Sequence, residues 1–304
     1  MARLARSVRC VAPVEAILGE GPLFDARIGK LLFLDIKGGK IFRFDPQTEE
    51  TEAFEAPGKV SALGLRAGGG YVCARKAGFA FLDLDGGAAR LTAIAAPEID
   101  RPDNRFNDGK VDPFGGFWAG TMDEREKDSR AGNWWRLSPD GRATKIDEGF
   151  HVANGPAFDI ARGRAYFTDS ARQTVFVARA TAEGFADKQP FLQFSPGEGY
   201  PDGMDVDADG GLWIAFWDGA AVRRFSPDGE LLEEICLPVP RPTSVALVDD
   251  RAYVTSARIG LSAESLSVSP LSGGLFEILS LNAVSAGPLY FGSQPREDFE
   301  RKKM

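Results

Sequence analysis

The sequence predicts an all-β fold, a six-bladed β-propeller around a central channel. Three observations carry this: a recurring apolar segment, a spacing in the forties between its copies, and no comparably long stretch with helical periodicity. The segments are "LFLDI" (32–36), "YVCAR" (71–75), "FWAGT" (117–121), "YFTDS" (166–170), "LWIAF" (212–216) and "AYVTS" (252–256). Their matching positions, Phe33, Val72, Trp118, Phe167, Trp213 and Tyr253, lie 39 to 49 residues apart. That interval is the length of one four-stranded blade. Second strands and turns follow most of them, as in "IFRFDPQT", "WWRLSPDG" and "VRRFSPDG".

Six such blades fill residues 1–292 as one domain. The strand around Val8 to Val11 is expected to pair near "GGLFEIL" (273–279) and close the ring, leaving 293–304 as a polar C-terminal tail. The stretch "YPDGMDVDADGGLWIAFWDG" (200–219) is read as a hairpin. Its alternating Asp205, Asp207 and Asp209 resemble a calcium loop, but the twelfth position, where such a loop needs a bidentate carboxylate, is Phe216. Met204, Val206, Leu212, Ile214 and Phe216 instead alternate at period two around a "DADGG" turn.

Composition bounds the function. The chain has 304 residues, 43% hydrophobic and 26% charged, with no apolar run near the roughly 18 residues of a membrane span. "MARLARSVRC" lacks the apolar core and cleavage site of a secretory signal, so a cytoplasmic location is expected. A formal charge of -8 without a basic block argues against nucleic acid or a membrane surface as partner. The three scattered cysteines do not suggest a disulfide framework or thiolate cluster. A small molecule is the expected partner, and the protein is expected to be a monomer or weak homo-oligomer.

Each blade's first strand has one equivalent entrance position: Glu20, Ser61, Asn107, Asn154, Asp202 and Thr243. In a propeller these six converge on the channel at one end. Two carboxylates and two carboxamides make a hard-oxygen cluster suited to a divalent cation, with neither Cys nor paired His to favour a closed zinc site. "NG" and "DG" also mark ordinary turns, but a shared register across blades favours a site.

"LGEGPLFD", "NRFNDGKVDPFGGFWAGTMD", "NGPAFD" and "YPDGMDVDADGGLW" resemble successive motifs of the regucalcin, gluconolactonase and luciferin-regenerating-enzyme family. "ARIGLSAESLSVSPLSGGLFEI" (257–278) resembles the corresponding region of bacterial sugar lactonases of the xylonolactonase type. The resemblance implies a six-bladed propeller with one divalent metal on its axis, Ca2+, Mn2+, Fe2+, Mg2+ or Zn2+. It places Glu20, Asn154 and Asp202 on the metal ligands, Arg105 and Asn107 on sugar-lactone contacts, and Asp202 on the proton-transfer residue. Where some members carry a substrate-binding Glu after the "AGTM" strand, this chain has Arg125, between Glu124 and Glu126.

The chemistry that follows is hydrolysis of a sugar lactone (aldonolactone) to its aldonic acid. A cation polarises the lactone carbonyl, Asp202 activates water, and Arg105, Asn107 and Arg125 hold the sugar. The alternative is a non-catalytic propeller that binds calcium or another ligand at the same place. For Arg105 the structural reading is an ion pair with Asp103 or Asp108. For the single histidine, His151, it is a satisfied structural residue. No G-x-S-x-G elbow is present, and one histidine cannot form the His pair used by other propeller esterases. The polar segment "DEREKDSRAGN" (123–133) is expected at the pocket rim or as a solvated loop.

Overall fold

The computed structural model describes residues 6–125 and 130–295, so Glu126 and most of the tail lie outside the described residues. Six sheets form the blades, the four strands of each antiparallel and in chain order from an inner strand outwards, except that the sixth takes its outermost strand from the start of the chain. The inner strands are Gly19–Asp25, Val60–Arg66, Asn104–Val111, Ala153–Asp159, Tyr200–Val206 and Pro242–Val248. Each touches the next, and the sixth returns to the first. The ring closes as the pattern predicts. Strand Val8–Ala12 becomes the outermost strand of the sixth blade, with Val8 opposite Ile278, Arg9 opposite Glu277 and Cys10 opposite Phe276.

Period-two alternation explains why the second strand of most blades reads as an almost continuous apolar run. A blade is buried on both faces, so odd and even positions each need an apolar partner. In the first blade, Leu32, Leu34 and Ile36 pack against Val60, Leu63 and Tyr71 of the second. Leu31 and Phe33 face the other way, onto Val248, Tyr253 and Leu275 of the sixth. The same division repeats round the ring, giving one apolar cluster between every adjacent pair of blades. The core is therefore a set of wedges rather than a central mass, which leaves the axis for polar groups.

The 200–219 stretch is a hairpin. Tyr200–Val206 pairs with Leu212–Trp217, with Val206 opposite Leu212 and Met204 opposite Ile214. Asp207 fixes the turn. Its Oδ1 accepts from Asp209 N at 3.0 Å and Gly211 N at 2.8 Å, and its Oδ2 accepts from Trp213 Nε1 at 2.9 Å and Arg224 Nε at 2.8 Å. Gly210 takes the left-handed conformation this turn needs, with φ of 88°. Asp112 does the same in the third blade, holding Phe114 N, Gly116 N, Trp118 Nε1 and Arg136 Nε. Of the three alternating acids, Asp207 is therefore the one that locks the turn.

Two features do not follow from the repeat. A short helix, Ala263–Val268, follows the second strand of the sixth blade and is capped by Ser262, whose Oγ accepts from Ser265 N at 3.1 Å. It is too short to show periodicity. After the last blade strand the chain also crosses the far end of the channel: Ala208 N donates to Val284 O at 2.8 Å, and Tyr290–Phe291 pairs in parallel with Leu65 and Arg66 of the second blade. Between them, residues 284–289 cover a cavity of about 250 Å³.

Candidate functional site

The site is built from a defect repeated in every blade. Each inner strand breaks register with its neighbour near its start: between Glu20 and Leu23, Val60 and Ala62, Phe106 and Gly109, Asn154 and Ala157, Pro201 and Met204, and Pro242 and Ser244. Such a bulge releases a residue from the ladder and re-aims its side chain. Ser61, Asn107, Asp202 and Thr243 lie inside these breaks, and Glu20 and Asn154 border them. All six are buried. Close packing behind Asp202 fixes its backbone, because a Cβ on Gly203 would stand 2.1 Å from Ser244 Oγ.

The six divide into two groups. Ser61 and Thr243 serve the scaffold: Ser61 Oγ donates to Ala74 O at 3.3 Å and Thr243 Oγ1 to Gly19 O at 2.6 Å. The other four belong to a polar cluster. Asn107 Nδ2 donates to Asn154 Oδ1 and to Ala153 O at 3.0 Å, while Asn154 Nδ2 donates to Ser170 Oγ at 2.8 Å. Ser170 Oγ in turn donates to Pro201 O at 2.6 Å, next to Asp202. These bonds fix the amide orientations so that each Asn presents its oxygen in a set direction.

Arg105 is buried, and its Nη1 donates to Asn107 Oδ1 at 2.6 Å and to Phe106 O at 3.1 Å. Its charge also reaches the carboxylates of Glu20 and Asp202, so it lies in the cluster. Asp103, one of the two residues offered as its ion-pair partner beside Asp108, is paired with Arg125 at 2.8 Å.

Electrostatically the cluster is under strain. Burial raises the Glu20 carboxyl well above its ordinary range, and the charges of Asp202 and then Asp108 add to the effect, against smaller relief from Gly21 N–H and Arg105. Asp202 is raised well above its range by burial and then by Asp108. Asp108 is pushed up to about 6 by burial, with Lys110 and the amides of Gly109 and Gly155 opposing. The sequence offered this third carboxylate only as an ion-pair partner for Arg105, not as a member of the site, because "NDG" reads as a turn. Its adjacency to Asn107 inside the bulge was the only signal.

A cation would relieve this repulsion, and the donors fit one. Asp202 Oδ1 is buried without a hydrogen-bond partner. A buried carboxylate oxygen left so is costly unless something positive meets it. Asn154 Oδ1 accepts one hydrogen bond and has a second lone pair to offer. Among the described residues no group of three or more His, Cys, Asp or Glu forms a metal cluster, and the candidate set needs none, having two carboxylates with a carboxamide.

The remaining candidates lie outside the cluster. Arg125 has a side chain 52% exposed and is held by Asp103 at 2.8 Å and Asp123 at 3.3 Å. His151 lies beside Asp169, with Nδ1 to Oδ2 at 3.1 Å. That carboxylate also accepts the His151 and Val152 amides, as Asp35 accepts the Ile17 and Leu18 amides in the first blade. His151 therefore stands at a scaffold position of the repeat.

Comparison with known proteins agrees with this architecture. The SMP-30/Gluconolactonase/LRE-like region matches residues 18–258. Rabbit (Oryctolagus cuniculus) regucalcin is 33% identical over 291 residues, covering 92% of this chain and 97% of the relative. A 6-deoxy-6-sulfogluconolactonase of Pseudomonas putida is 34% identical, covering 94% and 99%. Among solved structures, a calcium-binding regucalcin of Agrobacterium tumefaciens superposes with a TM-score of 0.89 at 26% identity, over 95% of this chain and 98% of that one. The chain belongs to the SMP-30/gluconolactonase/LRE-like family.

Proposed function

We propose that the protein is a metal-dependent sugar lactonase that opens an aldonolactone to its aldonic acid. The observation that carries this is the unpartnered Asp202 Oδ1 in a buried carboxylate cluster at one end of the channel. Family membership and a sulfogluconolactonase relative support the reaction class. Glu20, Asn154 and Asp202 would hold one divalent cation. When bound, it supplies positive charge to the lactone carbonyl oxygen, where negative charge builds during attack.

This chain's residues do the rest. Asp202 accepts a proton from the attacking water and returns one to the ring oxygen as the C–O bond breaks. Asn107 and Arg105, already fixed to one another, meet sugar hydroxyls with the second lone pair of Asn107 Oδ1 as acceptor and the Arg105 guanidinium as donor. Arg125, on the rim, reaches the substrate only by leaving Asp103 and Asp123.

A second reading rests on the same site. The Agrobacterium neighbour is described as a calcium-binding protein, so a propeller that only holds calcium is the rival. Acid release from a panel of freshly made aldonolactones, with each candidate cation in turn, separates the two. Tight calcium binding without turnover of any lactone would favour the rival.

A further inference from the structure

The mouth of the channel carries a concentration of positive charge that hydrolysis of a neutral lactone does not use. Lys59 lies two residues before Ser61 of the channel ring. Lys76 follows strand Tyr71–Arg75 and donates its amide to Lys59 O at 3.1 Å. Both ammonium groups converge on one carboxylate, Glu124, whose Oε1 meets Lys59 and whose Oε2 meets Lys76. Lys37, in the turn after the first blade's second strand, stands 3.8 Å from Glu124 Oε1. Glu124 is tied to the same rim, its amide donating to Asp103 O at 2.8 Å, two residues before Arg105.

Arg75 adds an independent observation. It ends the second blade's second strand, opposite Val60, and its Nε is buried without a hydrogen-bond partner. Lys37, Lys59 and Lys76 thus bring three positive charges against the single carboxylate of Glu124. Burial acts to raise the Glu124 carboxyl, but Lys59 and Lys76 outweigh it and hold it down at about 2, so it remains an anion at any working pH. An internal carboxylate held between two lysines, with an unpartnered Arg75 Nε on the residue before Lys76, is an arrangement suited to an oxyanion site with a resident placeholder.

We propose that the mouth recognises an oxyanion on the substrate, and that the lactone carries a sulfonate, phosphate or carboxylate on a carbon remote from its carbonyl. This rests on the lactonase reading above and specifies its substrate class. Lys59 and Lys76 bind the anion, exchanging the Glu124 contacts for contacts to the ligand, while the lactone ring enters the channel towards Asp202. No bond is made or broken at this second point. Its effect is on binding, and so on KM.

The test compares glucono-1,5-lactone with its 6-phospho and 6-sulfo analogues and with a glucarolactone, which tells the three oxyanions apart. The wild type is expected to show kcat/KM roughly tenfold or more in favour of at least one anionic lactone, expressed in KM and diminished by added salt. In K59Q/K76Q that ratio should collapse towards one, whereas K59R/K76R should keep it. E124Q, which removes the placeholder, should lower KM for the anionic lactone further. A wild-type ratio at or below one, or a ratio that persists in K59Q/K76Q, overturns the proposal while leaving lactonase activity intact. Should no lactone of either charge be hydrolysed, the lactonase reading falls instead. Calorimetry of 6-phosphogluconate against gluconate then decides the anion site by itself, with equal affinity counting against it.

Discussion

Asp202 is the residue on which the chemistry turns, because its two proposed roles make different demands. As a ligand it needs an oxygen; as a base it needs a charge that can take a proton. Asp202→Asn keeps the first and removes the second, so turnover should fall about a hundredfold or more even at saturating metal. Full recovery in excess cation would reduce Asp202 to a ligand. Glu20→Gln is expected to weaken the cation without that kinetic signature. It also relieves the carboxylate repulsion, so the metal-free variant should melt no lower than the metal-free wild type. The cation should then raise the wild-type melting temperature more than the variant's, since a ligand at a hundred times its Kd adds about 2.7 kcal/mol. Equal shifts in calorimetry would remove Glu20 from the site. The entrance register brought Glu20, Asn107, Asn154 and Asp202 into view because it repeats from blade to blade. Asp108 and the Glu124–lysine group escaped it because they depend on which loops meet across blades, and no one-dimensional period encodes that.

The element that matters most is the bulged inner strand, with the hairpin turn that anchors its far end. The repeat of apolar segments made the strands legible, and "DADGG" made one turn legible, but the reason for its acids became visible only when Asp207 met Trp213 and Arg224. Asp112 with Trp118 and Arg136 shows this to be a device of the fold, since the same atoms make the same bonds two blades away. Asp207 is buried, and four donors would lose their anionic acceptor in Asp207→Ala. Stability should drop by about 3 kcal/mol, as for removal of one partner from a buried ionic network. Its place is at the end of the hairpin away from Asp202, so kcat at a temperature below the melting transition should stay near wild type. A variant that folds normally but has lost activity would reopen the calcium-loop reading of this stretch.

At the scale of the whole molecule, a ring of wedges is only as stable as its closure. The closure joins the two ends of the chain, since Val8–Ala12 completes a sheet whose other strands come after residue 241. Glu277 lies at that seam, buried, accepting from Arg9 Nε at 2.8 Å on the N-terminal strand, Tyr253 Oη at 2.9 Å and Arg251 Nη1 at 3.0 Å. Burial acts to raise its carboxyl, but the hydrogen bonds of Arg9, Tyr253 and Arg251 prevail and hold it below the ordinary range. A carboxylate with a lowered folded-state pKa contributes stability that is present above its unfolded value, near 4.3, and is lost as pH falls through the folded one. Acid should therefore loosen the seam. Glu277→Gln keeps the size of the side chain and removes the charge, so at pH 7 it should cost about 2 kcal/mol, the scale of hydrogen bonds to a charged group. That deficit should shrink as the wild type is taken below pH 4, where its own Glu277 becomes protonated. Urea denaturation of both proteins from pH 7 down to pH 3 measures the gap directly, and a gap that stays constant across that range would show that the Glu277 charge takes no part in closing the ring.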